Sequence, residues 1–278
     1  MKQAGELSLP LLEMLKELHL PAVRECFSGQ AEIARRGSLS YEQYLYDFLQ
    51  QECDARRNSR TARLLHESQL PQEKTLEVLD RERLPQKISS QVGVLLDGSF
   101  LSRKENVLAF GNPGSGKTHL LCAIGQELIY QGHRVLFQPC SLLVQKLLIA
   151  KRDLKLQNIL KSLAKYDALI IDDIGYVQQS REEMEVLFTL LAYRYERGSV
   201  MITSNLPFSE WERIFKDPMT TAAAIDRLVH HSVILELNLQ SYRLEQSKKV
   251  MKEKQRGDNF GMFPGLIPLR LRLHSISP

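Results

Sequence analysis

One stretch of eight residues near the middle of the chain constrains the fold more than any other feature. Residues 111–118 read Gly-Asn-Pro-Gly-Ser-Gly-Lys-Thr and fit the pattern G-x-x-x-x-G-K-[ST]. Glycines let backbone N–H groups curl around phosphates, and the positive N-terminal end of a following helix adds to that attraction. The sequence therefore predicts an α/β fold that binds a nucleotide. The residues predicted to bind it are Gly111, Asn112, Pro113, Gly114, Ser115, Gly116, Lys117, Thr118 and His119.

A phosphate loop of this kind requires a strand before it and a helix after it. The apolar stretch 106–110 predicts the strand, and 118–130 predicts the helix, which ends before Gly132. Strands that alternate with helices indicate a parallel sheet flanked by helices. Three further strands and two further helices are predicted at 135–138, 168–171, 199–204, 141–151 and 154–165.

Two acids at the end of a predicted buried strand support nucleotide chemistry. Asp172 and Asp173 directly follow the apolar residues 169–171. Asp172 and the Thr118 hydroxyl are predicted to hold Mg²⁺, and Lys117 to reach the β- and γ-phosphates. Asp173 is the candidate that orients or deprotonates the attacking water. The expected cofactors are ATP and Mg²⁺, and the expected reaction is ATP hydrolysis.

Adenine is predicted over guanine because of a missing motif. Guanine-specific GTPases normally carry Asn-Lys-x-Asp, and the chain has no such tetrapeptide. It also has no LSGGQ-like signature of the transport ATPases.

Residues 1–80 predict a small all-α domain that precedes the nucleotide-binding domain of residues 81–250. Ser40 and Gln43 resemble a capping box at the start of a long helix. Residues 251–278 are basic and then rich in Gly, Pro and Leu, which predicts a disordered tail. An apolar stripe on the long helix is predicted to pack against neighbouring helices; it comprises Tyr44, Leu45, Phe48 and Leu49.

Composition predicts a cytoplasmic protein without a membrane segment. The four cysteines form no C-x-x-C pair, which fits a reducing compartment. Charged residues interrupt the apolar stretch 7–20, so it predicts neither a signal peptide nor a membrane span. The net charge of +4 is a weak argument for nucleic acid, so local basic clusters matter more.

The chain resembles AAA+ ATPases of the DnaC/IstB group, and most of all IstB, the ATP-dependent helper of certain insertion-sequence transposases. The resemblance covers roughly residues 5–250. The combination of T-S-N-L-P-F and D-R-L-x-H-H-S is much more specific than the phosphate loop. The matching stretches are G-N-P-G-S-G-K-T-H-L (111–120), L-I-I-D-D-I-G-Y (169–176), T-S-N-L-P-F (203–208), I-D-R-L-V-H-H-S (225–232) and S-Y-R-L (241–244).

The resemblance implies three further catalytic residues and an assembly. Asn205 matches the sensor-1 residue near the γ-phosphate, Arg227 the arginine finger that acts on a neighbouring subunit's nucleotide, and Arg243 the second sensor arginine. A finger that acts in trans implies a head-to-tail homo-oligomer. Many AAA+ proteins have Asp-Glu where this chain has Asp172-Asp173, so hydrolysis is expected to be slow or to need DNA or a partner.

The resemblance implies duplex DNA and the transposase of the same insertion element as partners, with a role in target DNA selection. Two basic clusters are candidates for sequence-independent phosphate contacts. Two alternatives stay open: a DnaC-like replicative helicase loader, and an ATP-gated DNA-binding scaffold with negligible turnover. The candidate DNA-binding residues are Arg56, Arg57, Arg60, Arg63, Lys146, Lys151, Arg152 and Lys155.

Overall fold

A computed structural model of the protein describes residues 7–175, 180–215, 217–239 and 241–242. The strands found there are β1 (Asn106–Phe110), β2 (Val135–Pro139), β3 (Ala168–Ile174), β4 (Ser199–Ser204) and β5 (Ser232–Glu236). They form one sheet in the order β2-β3-β4-β1-β5, and every neighbouring pair is parallel. The four predicted strands are confirmed, while β5 was not predicted.

Helices cover both faces of this sheet and also form the N-terminal region. Two short 3-10 turns, Arg81–Arg83 and Phe208–Glu210, supplement them. The helices of the described residues are α1 (Ser8–Glu17), α2 (Pro21–Gly37), α3 (Tyr41–Ser68), α4 (Gln86–Leu96), α5 (Ser99–Ser102), α6 (Lys117–Tyr130), α7 (Cys140–Arg152), α8 (Leu156–Leu163), α9 (Arg181–Arg194), α10 (Glu212–Phe215) and α11 (Pro218–Val229).

Two apolar cores lie on the two faces of the sheet. Successive strand side chains point to opposite faces. Thus Ile170 belongs to the core that contains residues of α4 and α6, whereas Leu169 and Ile171 belong to the core that contains residues of α7, α8 and α9. Residues 168–171 are buried throughout. This double burial explains why the strand reads as a continuous apolar run rather than as an alternating pattern.

The long helix α3 connects the N-terminal helices to the sheet domain. Its C-terminal half packs on the core through the buried Leu64, and Leu70, just after the helix, adds a second buried side chain. The Arg60 guanidinium donates to the Gly132 carbonyl oxygen at 3.1 Å. The predicted cap at Ser40 is half present, because its hydroxyl accepts from the Gln43 N–H at 3.1 Å. The predicted domain boundary after residue 80 stays a prediction, and residues 251–278 lie outside the described residues.

The apolar stripe on α3 differs from its prediction. Leu45 is 56% exposed and Leu49 is 46% exposed, so the prediction that both pack against neighbouring helices is wrong. Tyr44 and Phe48 are half-buried, and their ring centroids lie 5.5 Å apart. The contact between α2 and α3 is centred elsewhere, on Val23 and Glu52, which are both buried.

Glu52 joins α3 to the beginning of α2. Its carboxylate accepts the N–H groups of Ala22 and Val23 at 2.9 and 3.2 Å and the Arg56 guanidinium at 2.8 Å. Burial acts to raise the pKa of Glu52, but the hydrogen bonds from Arg56 and from these two backbone groups outweigh it. The net pKa is therefore below its ordinary value. A negatively charged side chain at a helix N-terminus also interacts favourably with the helix dipole.

Replacing Glu52 with glutamine is expected to lower the free energy of unfolding at pH 7 by about 1–2 kcal/mol, because a neutral amide replaces the carboxylate that accepts three hydrogen bonds. A lowered carboxyl pKa contributes stability above the unfolded pKa of about 4.3 and loses it as pH falls through the folded value. The difference between wild type and Glu52→Gln should therefore shrink below about pH 4. Urea unfolding by circular dichroism at pH 7 and pH 3 measures it, with the exposed Glu25→Gln as control. An equal difference at both pH values would contradict the expectation.

Candidate nucleotide-binding site

The phosphate loop lies between the end of β1 and the start of α6, as its sequence pattern requires. Gly111, Gly114 and Gly116 have positive φ angles of 149°, 79° and 97°, which residues other than glycine rarely adopt. Lys117 begins α6 and is 5% exposed. Its ammonium group donates to the carbonyl oxygens of Gly111 and Asn112 at 2.8 and 2.9 Å. The loop therefore curls around its own lysine, which stays at the bottom of the site.

The loop opens into a cavity of about 630 Å³. A cavity of this size falls in the range that holds small-molecule ligands and cofactors. The residues that line it on the phosphate side include Pro113, Gly114, Ser115, Gly116, Lys117, Thr118, His119, Asp173 and Asn205.

Asp172, the first of the two acids near the end of β3, contacts the loop. The Thr118 hydroxyl donates to Asp172 Oδ1 at 2.7 Å, and the hydroxyl of Thr203 in β4 donates to the same oxygen at 2.6 Å. A hydroxyl and a carboxylate side by side form the oxygen set that Mg²⁺ prefers in nucleotide sites. The residues present therefore fit a magnesium ion between the loop and β3.

The second acid, Asp173, has a left-handed backbone with a φ of 60°. It lies where the pairing of β3 with β4 shifts register, between Ile171 and Ile174. The side chain is exposed and lines the cavity. A water molecule in the cavity could therefore lie next to this carboxylate.

Asn205, directly after β4, also lines the cavity. Its side-chain oxygen Oδ1 is buried and has no hydrogen-bond partner within the described part of the chain. Buried polar atoms are nearly always paired, so an unpaired one at a ligand cavity indicates a missing partner. A water molecule held by a bound phosphate or metal ion could donate a hydrogen bond to this oxygen, and the sensor role of Asn205 stays a prediction.

The far wall of the cavity was missed by the sequence analysis. It comes from the connection between α3 and α4 and from the chain after β5, which sequence alone gave no reason to bring together. His119 on α6 contacts this connection, with a ring nitrogen 2.9 Å from the Thr75 carbonyl oxygen. The Arg83 guanidinium lies 5.3 Å from the Tyr242 ring centroid. The wall consists of Glu73, Lys74, Val78, Leu79, Asp80, Arg83, Leu84, Leu237, Leu239 and Tyr242.

Arg227 is far from the nucleotide cavity of its own chain. It lies near the end of α11 and lines a smaller cavity of about 250 Å³ together with Asn106, the first residue of β1. The phosphate loop follows the other end of β1. The Arg227 guanidinium lies 4.8 Å from the Phe188 ring centroid and donates to the Ala223 carbonyl oxygen at 3.1 Å. Arg243, the other predicted arginine, lies outside the described residues.

The first basic cluster is largely engaged within the chain. Arg56 donates to Glu52 and to the His19 carbonyl oxygen. Arg57 pairs with Asp54 at 3.4 Å, and Arg63 approaches Glu67 at 3.9 Å. Together with the contact of Arg60 to Gly132, these bonds give each arginine a structural partner.

The second basic cluster, on α7 and at the start of α8, makes fewer contacts with acidic side chains. Lys151 pairs with Glu185 at 2.9 Å. Lys146, Arg152 and Lys155 are exposed, and no ion pair is found for them in the ranges that the structure covers.

The fold and the site together define the class. A parallel sheet carries a phosphate loop after β1, two acids near the end of β3 and a polar residue after β4. All lie at the carboxyl ends of adjacent strands, where open α/β sheets bind ligands. This is an AAA+ ATP-binding protein, and the predicted fold class is confirmed. The model of the IstB-like ATP binding protein family matches residues 13–250. The chain belongs to this family, which confirms the resemblance seen in the sequence.

Relatives from several bacteria carry names that fit this family. A protein of Sinorhizobium fredii, named as an insertion sequence ATP-binding protein, is 43% identical over 87% of this chain and 82% of its own length. The corresponding protein of insertion sequence IS21 from Pseudomonas aeruginosa is 39% identical over 86% of this chain and 89% of its own. The protein of insertion sequence IS5376 from Geobacillus stearothermophilus is 37% identical over 88% of this chain and 97% of its own length.

Solved structures share the fold at low sequence identity. The crystal structure of DnaI is 22% identical, with a TM-score of 0.51 over 60% of this chain and 94% of its own. AMPPCP-bound DnaA from Aquifex aeolicus is 20% identical, with a TM-score of 0.51 over 70% of this chain and 58% of its own. Within the described ranges, the structure contains no helix with the length and hydrophobicity of a membrane span.

Proposed function

We propose that this protein is a Mg²⁺-dependent ATPase that assembles on duplex DNA and assists the transposase of its own insertion element in selecting target DNA. The observation that carries the proposal is the 2.7 Å contact between Thr118 and Asp172 at a cavity that also contains Lys117, Asp173 and Asn205. The insertion-sequence names of the relatives support the transposase as partner.

The proposed division of roles follows from the positions of the side chains. Lys117 and the loop N–H groups bind the phosphates, while Thr118 and Asp172 hold Mg²⁺, which neutralises phosphate charge during transfer. Asp173 orients or deprotonates the attacking water, and Asn205 holds that water or the γ-phosphate through its buried amide.

The position of Arg227 supports the proposed assembly. Because this residue lies at the opposite end of β1 from the phosphate loop, its guanidinium can serve a nucleotide only in another copy of the chain. A contact of this kind joins different surfaces of the two copies and generates a head-to-tail oligomer. An always-charged, bidentate guanidinium is suited to stabilise the charge that develops on transferring phosphate oxygens. Arg243 is proposed for a similar role within its own chain.

For DNA we favour the cluster on α7 and α8 over the arginines of α3. The α3 arginines have partners within the chain, whereas Lys146, Arg152 and Lys155 present exposed charges. Contacts of lysine and arginine to phosphates carry no sequence information, so binding should be non-specific and sensitive to salt.

ATP turnover with and without DNA tests the proposal. Wild type is measured alone, with duplex DNA and with single-stranded DNA, and Lys117→Ala gives the blank. Stimulation by duplex is expected. In Lys146→Glu/Arg152→Glu/Lys155→Glu, the duplex concentration for half-maximal stimulation should rise at least about tenfold, because three phosphate contacts become repulsive. Basal turnover should not change.

A control with the same change in net charge is Lys16→Glu/Arg35→Glu/Lys87→Glu, which replaces three exposed cations elsewhere. An equal loss of stimulation in this control would show that net charge, not the α7 and α8 cluster, is responsible. Stimulation by single strands alone favours the helicase-loader alternative. Turnover no higher than that of Lys117→Ala under every condition leaves the ATP-gated scaffold.

A further inference from the structure

Thr203 connects the two acids of the site through one buried hydroxyl. Its side chain is fully buried in β4, next to β3 in the sheet. The hydroxyl donates to Asp172 Oδ1 at 2.6 Å and accepts from the Asp173 N–H at 2.7 Å. A threonine hydroxyl has one proton to donate, and here that proton goes to the carboxylate.

The bond to Asp173 replaces a bond of the sheet. In a regular ladder the Asp173 N–H would donate to a backbone carbonyl of β4, but the register shift between Ile171 and Ile174 interrupts the ladder there. The Thr203 side chain takes this N–H instead. It thereby stabilises a left-handed backbone at Asp173, a conformation that is unfavourable for L-residues.

The bond to Asp172 determines how the first acid faces the phosphate loop. Asp172 Oδ1 accepts from Thr118 on one side and from Thr203 on the other. Thr203 is fixed in turn, because its residue pairs with Ala109 of β1 in the middle of the sheet. Outer residues that hydrogen-bond to a metal-binding carboxylate orient it and tune its metal affinity.

We infer that Thr203 is a positioning residue for both acids: it orients the Asp172 carboxylate toward the magnesium site and holds Asp173 in the backbone conformation that presents its carboxylate to the cavity. The assignment of Asp173 rests on the proposed function, whereas the effect on Mg²⁺ binding does not require hydrolysis. No contact of Thr203 with the nucleotide itself is needed, since Thr203 acts through its neighbours.

Binding of the non-hydrolysable analogue AMPPCP separates this role from simple packing. Its affinity is measured by calorimetry in EDTA and over a series of Mg²⁺ concentrations. In Thr203→Val, which keeps the shape and removes the hydroxyl, the Mg²⁺ concentration for half-maximal tightening should rise about 10–100-fold. Affinity in EDTA should stay within about twofold of wild type, and Thr203→Ser should restore the midpoint to within about threefold.

The matched control is Thr221→Val, because Thr221 is also buried and its hydroxyl donates to the Asp217 carbonyl oxygen at 2.7 Å, away from the cavity. Its Mg²⁺ midpoint should equal that of wild type. Thr203→Ala repeats the test if valine disturbs folding.

Three outcomes would overturn the inference: an unchanged midpoint in Thr203→Val, an equal shift in the serine and valine variants, or an equal loss of affinity in EDTA. The proposed function fails separately, through turnover no higher than that of Lys117→Ala in the wild-type chain. A shifted Mg²⁺ midpoint together with absent turnover would thus refute hydrolysis and still support the positioning of Asp172 by Thr203.

Discussion

Replacing Arg194 with methionine is expected to lower the free energy of unfolding by about 3–5 kcal/mol, although this side chain is remote from the nucleotide cavity. Arg194 ends α9 and is 2% exposed. Its guanidinium donates to the carbonyl oxygens of Leu163 at 2.8 Å, Ser199 at 2.9 Å, Tyr166 at 3.1 Å and Asp167 at 3.3 Å. These carbonyls belong to the end of α8, to the segment between α8 and β3, and to the first residue of β4.

The size of the effect follows from what the substitution leaves behind. Methionine is similar in length but has no N–H group, so carbonyl oxygens are left without this donor in a buried place, at about 1–3 kcal/mol for each one left unsatisfied. Burial lowers the pKa of Arg194 to about 10, and the nearby Asp167 charge offsets part of that effect. The side chain therefore stays cationic at neutral pH, and its hydrogen bonds are charge-assisted.

Arg197→Met is the matched control for Arg194→Met. Arg197 is exposed, and its guanidinium lies 4.9 Å from the Tyr193 ring centroid. Its loss should change stability by no more than about 0.5 kcal/mol. The fluorescence of Trp211, which is fully buried and the single tryptophan of the chain, reports unfolding in urea. A loss below about 1 kcal/mol in Arg194→Met would mean that water replaces the guanidinium.

Gly111→Ala is expected to destabilise the fold by about 3 kcal/mol or more and to lower ATP affinity at least about 100-fold. A Cβ at this position would overlap the Leu237 carbonyl oxygen and lie 2.8 Å from its carbonyl carbon. Leu237 cannot move aside easily, because its N–H donates to the Phe110 carbonyl oxygen at 2.7 Å. The φ of 149° adds strain for alanine.

Gly93→Ala is the matched control for the loop variant. Gly93 lies inside α4, and a Cβ there would have no atom within 4 Å. Alanine in a helix interior should stabilise the protein by about 0.5–1 kcal/mol. Urea unfolding and calorimetry with ATP measure both variants. Normal ATP affinity in Gly111→Ala would contradict the close approach of Leu237 to the loop.

Central strands were predictable because burial on both faces leaves a continuous apolar run. The bounds of β1 and β4 agree with the predicted 106–110 and 199–204. The edge strand β5 was missed although Val233, Ile234 and Leu235 form a short apolar run; of its residues only Leu235 is buried. The helix predicted at 154–165 is shorter in the structure and spans Leu156–Leu163. It cannot begin at Leu154, because this residue has a left-handed φ of 58°.

The candidate site was predictable only where one short motif contains its residues. The phosphate loop and Asp172 could be assigned from local sequence, because strand ends at one edge of a parallel sheet converge. The role of Thr203 could not, since it depends on a register shift between β3 and β4. The exposure of Leu45 and Leu49 could not be predicted either, because an apolar stripe on a helix does not show which element covers it.

The wall formed by residues 73–84 has a thermodynamic consequence. The same stretch of chain continues from α3, which carries the N-terminal helices, and touches α6 through Thr75 and His119. Any macromolecule that binds α1–α3 and thereby changes the position of this wall must alter ATP affinity. Linkage then requires ATP to alter the affinity for that macromolecule by the same factor. A tenfold effect in each direction corresponds to about 1.4 kcal/mol of coupling free energy.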